Sequence, residues 1–403
     1  MIAIENCRIV PIDRPVIERG AILIDGSRIR AIHDLRAERR LEKAQTVVDG
    51  TGLTAIPGMG QMHGHFSSYL HTMDTAPVNA QPDTLKAIQA VAFARNALLA
   101  GITMWREVGA HADIDLQIRR AIETGVVIGP RMQVAGRWIG APGGHGSTLN
   151  NLQVSGPDHL REAVRRQISR GTDGVKLIAS GGVMAATEDP FKMEFTEEEL
   201  AAAIGEANRA GKWVAVHSHP ATSTRAAIVA GARSIEHATE LPDDVIDLLV
   251  KYNVFIVPTF AAYYKLSHEG LDIGLDQGLV DLAYRVWDRK IQYFQQAVSA
   301  GVKFATGTDT GAPRVFHYEL ALELELMVQV GLTPEEVLRA ATASCAELMG
   351  WDGRLGSLTA GKEADIVLLE GNPLDQISAV RNVRYVFKAG VSYRPEPPAP
   401  PFP

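Results

Sequence analysis

Two histidines two residues apart, His63 and His65, close the apolar stretch TAIPGMGQMHGH, in which Pro57-Gly58 breaks the run. On a strand that spacing places both imidazoles on one face. Two nitrogens on one rigid element can chelate a single borderline-soft cation without bending the backbone; zinc is the expected ion, with manganese, cobalt or iron as other occupants. Taken alone, the pair reads equally well as two core histidines bonded to the backbone. Further residues able to do chemistry are Lys176 in GVKLIAS, His217 and His219 in WVAVHSH, His237 in SIEHAT and Asp309 in KFATGTDT. Lys176 could instead pair with Asp309 or Glu188, and Asp309 could also cap the segment that follows it.

The elements that must position these residues follow from hydrophobic period. From Pro57 to Met349, short apolar strands alternate with amphipathic helical segments, the pattern of a parallel sheet with helices packed outside it. The strand candidates are TAIPGMGQMHGH, GITMWREVG, RMQVAGRWI, GVKLIAS, WVAVHSH, SIEHAT, NVFIVPTF and KFATGTDT. Between them lie stretches such as DHLREAVRRQISR and TEEELAAAIGEANRA, the latter opened by Thr196 with Glu199 three residues on. The expected fold class is therefore α/β, a (β/α)8 TIM barrel, whose chemistry sits at the C-terminal strand ends. Those ends carry His63 and His65, Lys176, His217 and His219, His237, and Asp309.

Residues 1–54 read instead as short alternating strands with an Asp25-Gly26 hairpin signal, and this texture returns in ADIVLLEG, VRYVFKAG and VSY. We expect 1–56 and 350–403 to build one small composite β-domain from both termini, and 57–349 to form the barrel. The segment from Tyr263 to Leu282 suits an irregular lid over the barrel mouth, and the tail RPEPPAPPFP suits an extended conformation. Met193, Met327 and Met349 read as core filler. His33 and His159 read as solvated, while His71, His111, His268 and His317 lie near loops that could reach the pocket.

Composition limits the partners. The 403 residues are 46% apolar and 22% charged, with no apolar run long enough to span a bilayer. The net charge of −7 is interspersed, without a basic block to follow a phosphate backbone, so nucleic acid is not an expected partner. Cys7 and Cys345 cannot make a disulfide framework, and the N-terminus lacks a signal-like pattern, so a reducing cytoplasm is expected. The expected partners are a small-molecule substrate and further copies of the chain in a homo-oligomer.

As a set, His-x-His after Pro-Gly, GVKLIASGG, VAVHSH, SIEHA, GTDTGAP and the C-terminal GSLTAGKEADIVLLEGNPL resemble the amidohydrolase superfamily over nearly the whole chain. They look most like its imidazolonepropionase-related group, which includes metal-dependent dipeptidases acting on Xaa-Pro substrates. The resemblance implies two divalent metal ions. His63, His65 and Asp309 would hold the more buried one, His217 and His237 the second, and Lys176 would bridge them as a carbamate formed with carbon dioxide. Asp309 would take the proton of a metal-bridging hydroxide and pass it to the leaving nitrogen. His145, in the Gly-rich loop WIGAPGGHGST, would stabilise the oxyanion or hold substrate, and Arg106 would anchor substrate near the barrel mouth. On the short strand SIEH, alternation allows one of Glu236 and His237 to face inward, and the match assigns His237.

Two positions depart from the pattern. Gln61 stands where relatives carry an Asp. His219 stands where the dipeptidases carry a substrate-contacting Tyr, which makes His219 a candidate substrate residue. The expected reaction is hydrolysis of an amide, in a dipeptide or N-acyl amino acid, or by the same mechanism in a non-peptide amide, urea, carbamate or lactam. A mononuclear deaminase would need a Glu at the position of Pro220 and no Lys176, and a non-catalytic scaffold should have lost its ligands.

Overall fold

A computed structural model describes residues 1–37, 42–149, 151–184 and 188–394. Both termini contribute strands to a single sheet. The N-terminal ones are β1 (Ile2–Ile9), β2 (Ile17–Asp25), β3 (Arg28–Asp34), β4 (Thr46–Asp49) and β5 (Leu53–Pro57). The Asp25-Gly26 signal does close a hairpin between β2 and β3, with Gly26 at φ 55°, where a side chain would be strained.

The central run then supplies β6 (Met59–Gly64), β7 (Ile102–Glu107), β8 (Arg131–Val134), β9 (Ile139–Gly140), β10 (Leu152–Gln153), β11 (Gly174–Ile178), β12 (Trp213–Ser218), β13 (Ser234–His237), β14 (Phe255–Val257) and β15 (Lys303–Phe304). The C-terminal strands are β16 (Ile366–Glu370), β17 (Val383–Lys388) and β18 (Val391–Tyr393). They join the first group in the order β18-β17-β16-β5-β1-β2-β3, with β4 beside β1. The join is the antiparallel pair β5–β16, where Ala55 faces Leu368. Ile4, Ile22, Ala55, Leu368 and Phe387 are fully buried on its inner face. The Pro-rich tail beyond Arg394 lies outside the described residues.

The central strands pair in parallel in two groups, β6-β7-β8 and β10-β9-β11-β12-β13-β14-β15. The expected barrel ladder is not continuous. At one seam Met62 N–H donates to Thr306 O over 2.8 Å and Asp309 N–H to His63 O over 3.0 Å; at the other, Asp173 N–H donates to Val134 O over 2.8 Å. The first gap follows from the shortness of β15: past Phe304 the Thr306 hydroxyl bonds Gly60 O at 2.7 Å in place of a ladder partner.

Helices follow the strands, among them Pro157–Ser169, Glu197–Arg209, Ala221–Ala230 and Asp243–Tyr252. Thr196 caps Glu197–Arg209 through the reciprocal bonds with Glu199 that the sequence suggests. None among the described residues is long and apolar enough to cross a membrane. The segment expected as an irregular lid is instead mostly helical, with Phe260–His268, a 3-10 turn at Leu271–Ile273 and the start of Gln277–Ser299. The free N–H groups of Phe260 and Ala261 find the buried Glu323 carboxylate at 3.0 and 2.7 Å, and Asp276 caps the long helix at Leu279 N.

Leu368 has no exposed surface in the sheet shared by the termini. Leu368→Ala is expected to cost about 2–5 kcal/mol of stability, read as a fall in the urea midpoint at unchanged slope.

Candidate metal centre

His63 ends β6, His65 lies just beyond it, and Asp309 follows β15 across the seam. Their donor atoms lie within 4.8 Å of one another. Asp309 Oδ1 is 3.4 Å from His63 Nε2 and 3.2 Å from His65 Nε2. The other ring nitrogens are held from behind. His63 Nδ1 bonds Glu236 Oε2 at 2.8 Å, and His65 Nδ1 donates to Gly109 O at 2.8 Å. Such partners fix the rings and leave both Nε2 atoms aimed at one point. Burial opposes ionisation of Asp309, but His63, His65 and Lys176 overcome it and hold its carboxyl well below the usual range. Burial first, and then Lys176, lowers His63 to about 4, so its ring is neutral at physiological pH.

A second imidazole cluster adjoins the first. The His217 and His237 rings are 4.4 Å apart, and His237 is 5.0 Å from His63. His237 Nδ1 meets Thr259 Oγ1 at 2.7 Å, while His217 Nε2 meets Gly181 O at 3.0 Å. Lys176, on β11, is 2% exposed, and its Nζ has no hydrogen-bond partner. It pairs with neither Asp309 nor Glu188. Burial lowers it to about 8, against the opposing pull of Glu236 and Asp309. An orphaned buried amine beside two groups of imidazoles is a costly arrangement for an apolar core. The donor set fits a metal centre.

The choice between Glu236 and His237 is resolved by neither being excluded. His237 has φ 71° and Ala238 φ 49°, so the strand turns left-handed at its last residue and alternation fails there. Glu236 reaches His63 behind the cavity while His237 reaches the cavity itself. Asp309 also has φ 61°. Strain of this kind gathers where side chains must be aimed.

Arg106 is placed differently from its expected role at the mouth. It is 1% exposed, with Nε donating to Met62 O, Nη1 to Ser234 Oγ and Nη2 to Glu236 Oε1, each at 2.8 Å. Its side chain runs from β7 to Ser234 and Glu236 of β13, where it neutralises Glu236. His219 is also withdrawn: Nδ1 meets Thr239 Oγ1 at 2.7 Å and Nε2 meets Tyr263 Oη at 2.8 Å, so the ring has no free nitrogen for substrate. Tyr263 is the cavity residue that sequence reading missed. It sits on the helix Phe260–His268, in a segment read as a loop.

His145 does line the cavity, 4.6 Å from the His217 ring, with Nδ1 on Glu188 Oε2 at 2.7 Å. A Cβ on Gly182 would come within 2.2 Å of His145 Cε1, so the ring packs on bare backbone. Gln61 donates to Thr308 Oγ1 at 2.7 Å and accepts from Thr308 N at 2.9 Å, tying β6 to the segment that carries Asp309. His317 bonds His65 O at 3.0 Å, whereas His111 is buried outside the cavity lining.

The cavity encloses about 110 Å³. Its polar floor is the histidines, Lys176 and Asp309, and its walls include Leu70, Met73, Trp138, Leu149, Val183 and Leu266. Among the described residues Lys176 is its one cationic side chain apart from histidine, and no arginine lines it.

Burial opposes ionisation of Glu236, but Arg106 and His63 hold it at about 2, against an ordinary value of 4.5. Because its folded value is depressed, the stability it contributes is complete above pH 4.5 and is lost as pH falls toward 2. Glu236→Gln should remove that acid dependence. It should also cost about 3–5 kcal/mol at pH 7 by leaving Arg106 unpaired and weaken metal binding ~10–100-fold. Unfolding at pH 7 and pH 3 and metal titration check these outcomes.

Comparison with known proteins agrees with this geometry. Residues 54–392 match the model of the amidohydrolase family. Ochratoxinase of Aspergillus niger is 30% identical over 379 residues, covering 84% of this chain and 75% of that protein. A crystal structure of a Xaa-Pro dipeptidase with bound methionine in its active site superposes with a TM-score of 0.91 at 30% identity, covering 98% of this chain and 100% of the other. A prolidase complexed with N-methylphosphonate-L-proline gives 0.89 at 28% identity, again over 98% and 100%. The chain belongs to the amidohydrolase family and is a C–N bond hydrolase.

Proposed function

We propose that the protein is a binuclear metal-dependent amidohydrolase that cleaves an amide flanked by apolar groups, in an N-acyl amino acid or a dipeptide. The observation that carries this reading is the buried, unpartnered Lys176 amine beside both imidazole groups. Attack of its neutral amine on carbon dioxide, with loss of a proton, gives a carbamate whose two anionic oxygens suit a bridge. His63, His65 and Asp309 would hold one ion, His217 and His237 the other, within a (β/α)8 barrel domain of residues 57–349. Two divalent ions, zinc by the chemistry of the donors, would polarise the scissile carbonyl and lower the pKa of a water.

The chain's own residues do the rest. Asp309, kept ionised by His63 and His65, accepts the proton of the attacking water and returns it to the leaving nitrogen. His145, with Nδ1 fixed by Glu188, presents Nε2 to the carbonyl oxygen. The apolar walls exclude water and select apolar substituents. The names of the relatives, a Xaa-Pro dipeptidase, a prolidase and an ochratoxinase, support amides and peptides as the substrate class. A second reading, a non-peptide amide, urea, carbamate or lactam, is favoured by the absence of arginine from the described lining, since a substrate carboxylate would meet no fixed cation. The buried free thiols Cys7 and Cys345 suit a reducing cytoplasm.

The test is a screen of zinc-loaded protein against N-acyl amino acids and dipeptides with apolar side chains, ochratoxin, aryl amides, ureas and carbamates. Turnover of the first two classes is expected. Asp309→Ala should lower kcat by ~10²–10⁴-fold, and Lys176→Ala should bind less than two metals per chain. Full activity and metal content in Lys176→Ala would sink the reading.

A further inference from the structure

We propose that Tyr263 is a further catalytic residue, a role that rests on the amide hydrolysis proposed above: its phenolic O–H donates to the substrate carbonyl oxygen as that oxygen gains negative charge. Tyr263 lines the cavity with its ring 5.6 Å from His237. His145 approaches from the opposite element, against His217. Both donors therefore line the one cavity, on different elements.

The direction of the tyrosine's hydrogen bond follows from counting protons. Thr239 and His219 are both 0% exposed, and Tyr263 is 4% exposed. The three form one line, Thr239 Oγ1 to His219 Nδ1 at 2.7 Å and His219 Nε2 to Tyr263 Oη at 2.8 Å. With the imidazole proton on Nδ1, Thr239 would accept it and its own O–H would face no acceptor among the described residues. A buried donor left without an acceptor is destabilising. With the proton on Nε2, Thr239 donates to Nδ1 and His219 donates to Tyr263 Oη. The two side chains with no exposed surface are then satisfied, and the one proton left without an acceptor among the described residues is the phenolic one, on the residue that lines the cavity.

The phenol is also held in place. Lys290 donates to His237 O at 2.8 Å and sits 4.7 Å from the Tyr263 ring centroid, and Glu323 fastens the first turn of the tyrosine's helix. A fixed donor aimed at a point of developing charge contributes to the transition state without reorganising. The proton stays on Tyr263 throughout.

Tyr263→Phe keeps the ring and removes the donor. On an amide that the zinc-loaded wild type hydrolyses, kcat should fall ~10²-fold with KM within about twofold of the wild type and bound zinc unchanged. Affinity for a phosphonate isostere of that substrate should fall in parallel with kcat, because it presents the tetrahedral oxygens that the ground state lacks. An unchanged kcat, or a rise in KM alone, would overturn the assignment. Should Tyr263→Phe fail to fold, His219→Leu releases the phenol from its line and should lower kcat by ~10-fold. His219→Gln, whose amide N–H can donate to Tyr263 Oη, should restore it. Equal kcat in His219→Leu and wild type would equally overturn it. A wild type that turns over no amide would remove the functional reading and the tyrosine's role with it, a result separable from an active wild type matched by Tyr263→Phe.

Discussion

A single buried carboxylate, that of Glu236, holds the site to the parallel strands. One oxygen accepts from Arg106 and from Ser234 Oγ, and the other meets His63 Nδ1. The carboxylate thereby spans from β13 to β6 and β7 across the interior, and it selects which nitrogen of His63 faces Asp309. A charge this deep is tolerated only because every partner is present. The guanidinium is balanced and directed in turn, since its third contact is the Met62 carbonyl immediately before His63. Remove any one of these groups and the remaining ones become liabilities, so the fold and the ligand geometry share one set of bonds.

Around that junction the site is layered by element. The ends of β6, β12 and β13 deliver His63, His217 and His237 and the middle of β11 delivers Lys176, while the turn after β15 swings Asp309 back toward His63. Gln61 fastens that turn, and Gly109 O and His317 hold His65. Apolar walls raise the strength of every charge on the floor by excluding water. Among the described residues no arginine lines the cavity, and its donors include the histidines, Lys176 and Tyr263.

Much of this was legible in the residues. Strict placement of polar side chains at the ends of apolar strands marked six of the cavity's floor residues, because a buried His, Lys or Asp in a β-rich apolar run has few other uses. The shared terminal sheet was legible from period-two alternation and the Asp25-Gly26 turn. Side-chain direction was not. Glu236 is buried together with His237 because a strand's alternation holds only while the backbone stays extended, and His237 departs from it; Arg106 is drawn into the wall by Ser234 and Glu236, about 130 residues away in sequence. Tyr263 escaped notice because its helix is fixed by Glu323, sixty residues away in sequence, a contact that no local pattern encodes. His219 was misplaced for the same reason, since its partners Thr239 and Tyr263 come from other elements.

The left-handed backbone at His237 and Asp309 has a consequence for how such a chain can change over generations. Each such residue costs about 1–3 kcal/mol relative to a relaxed conformation, and glycine would occupy either position without that penalty. Selection for thermal robustness alone would therefore favour glycine at two positions whose side chains line the cavity. A lineage that keeps histidine and aspartate there is accepting a standing loss of stability in exchange for chemistry, so these two positions would be the first to erode in a descendant relieved of catalytic duty.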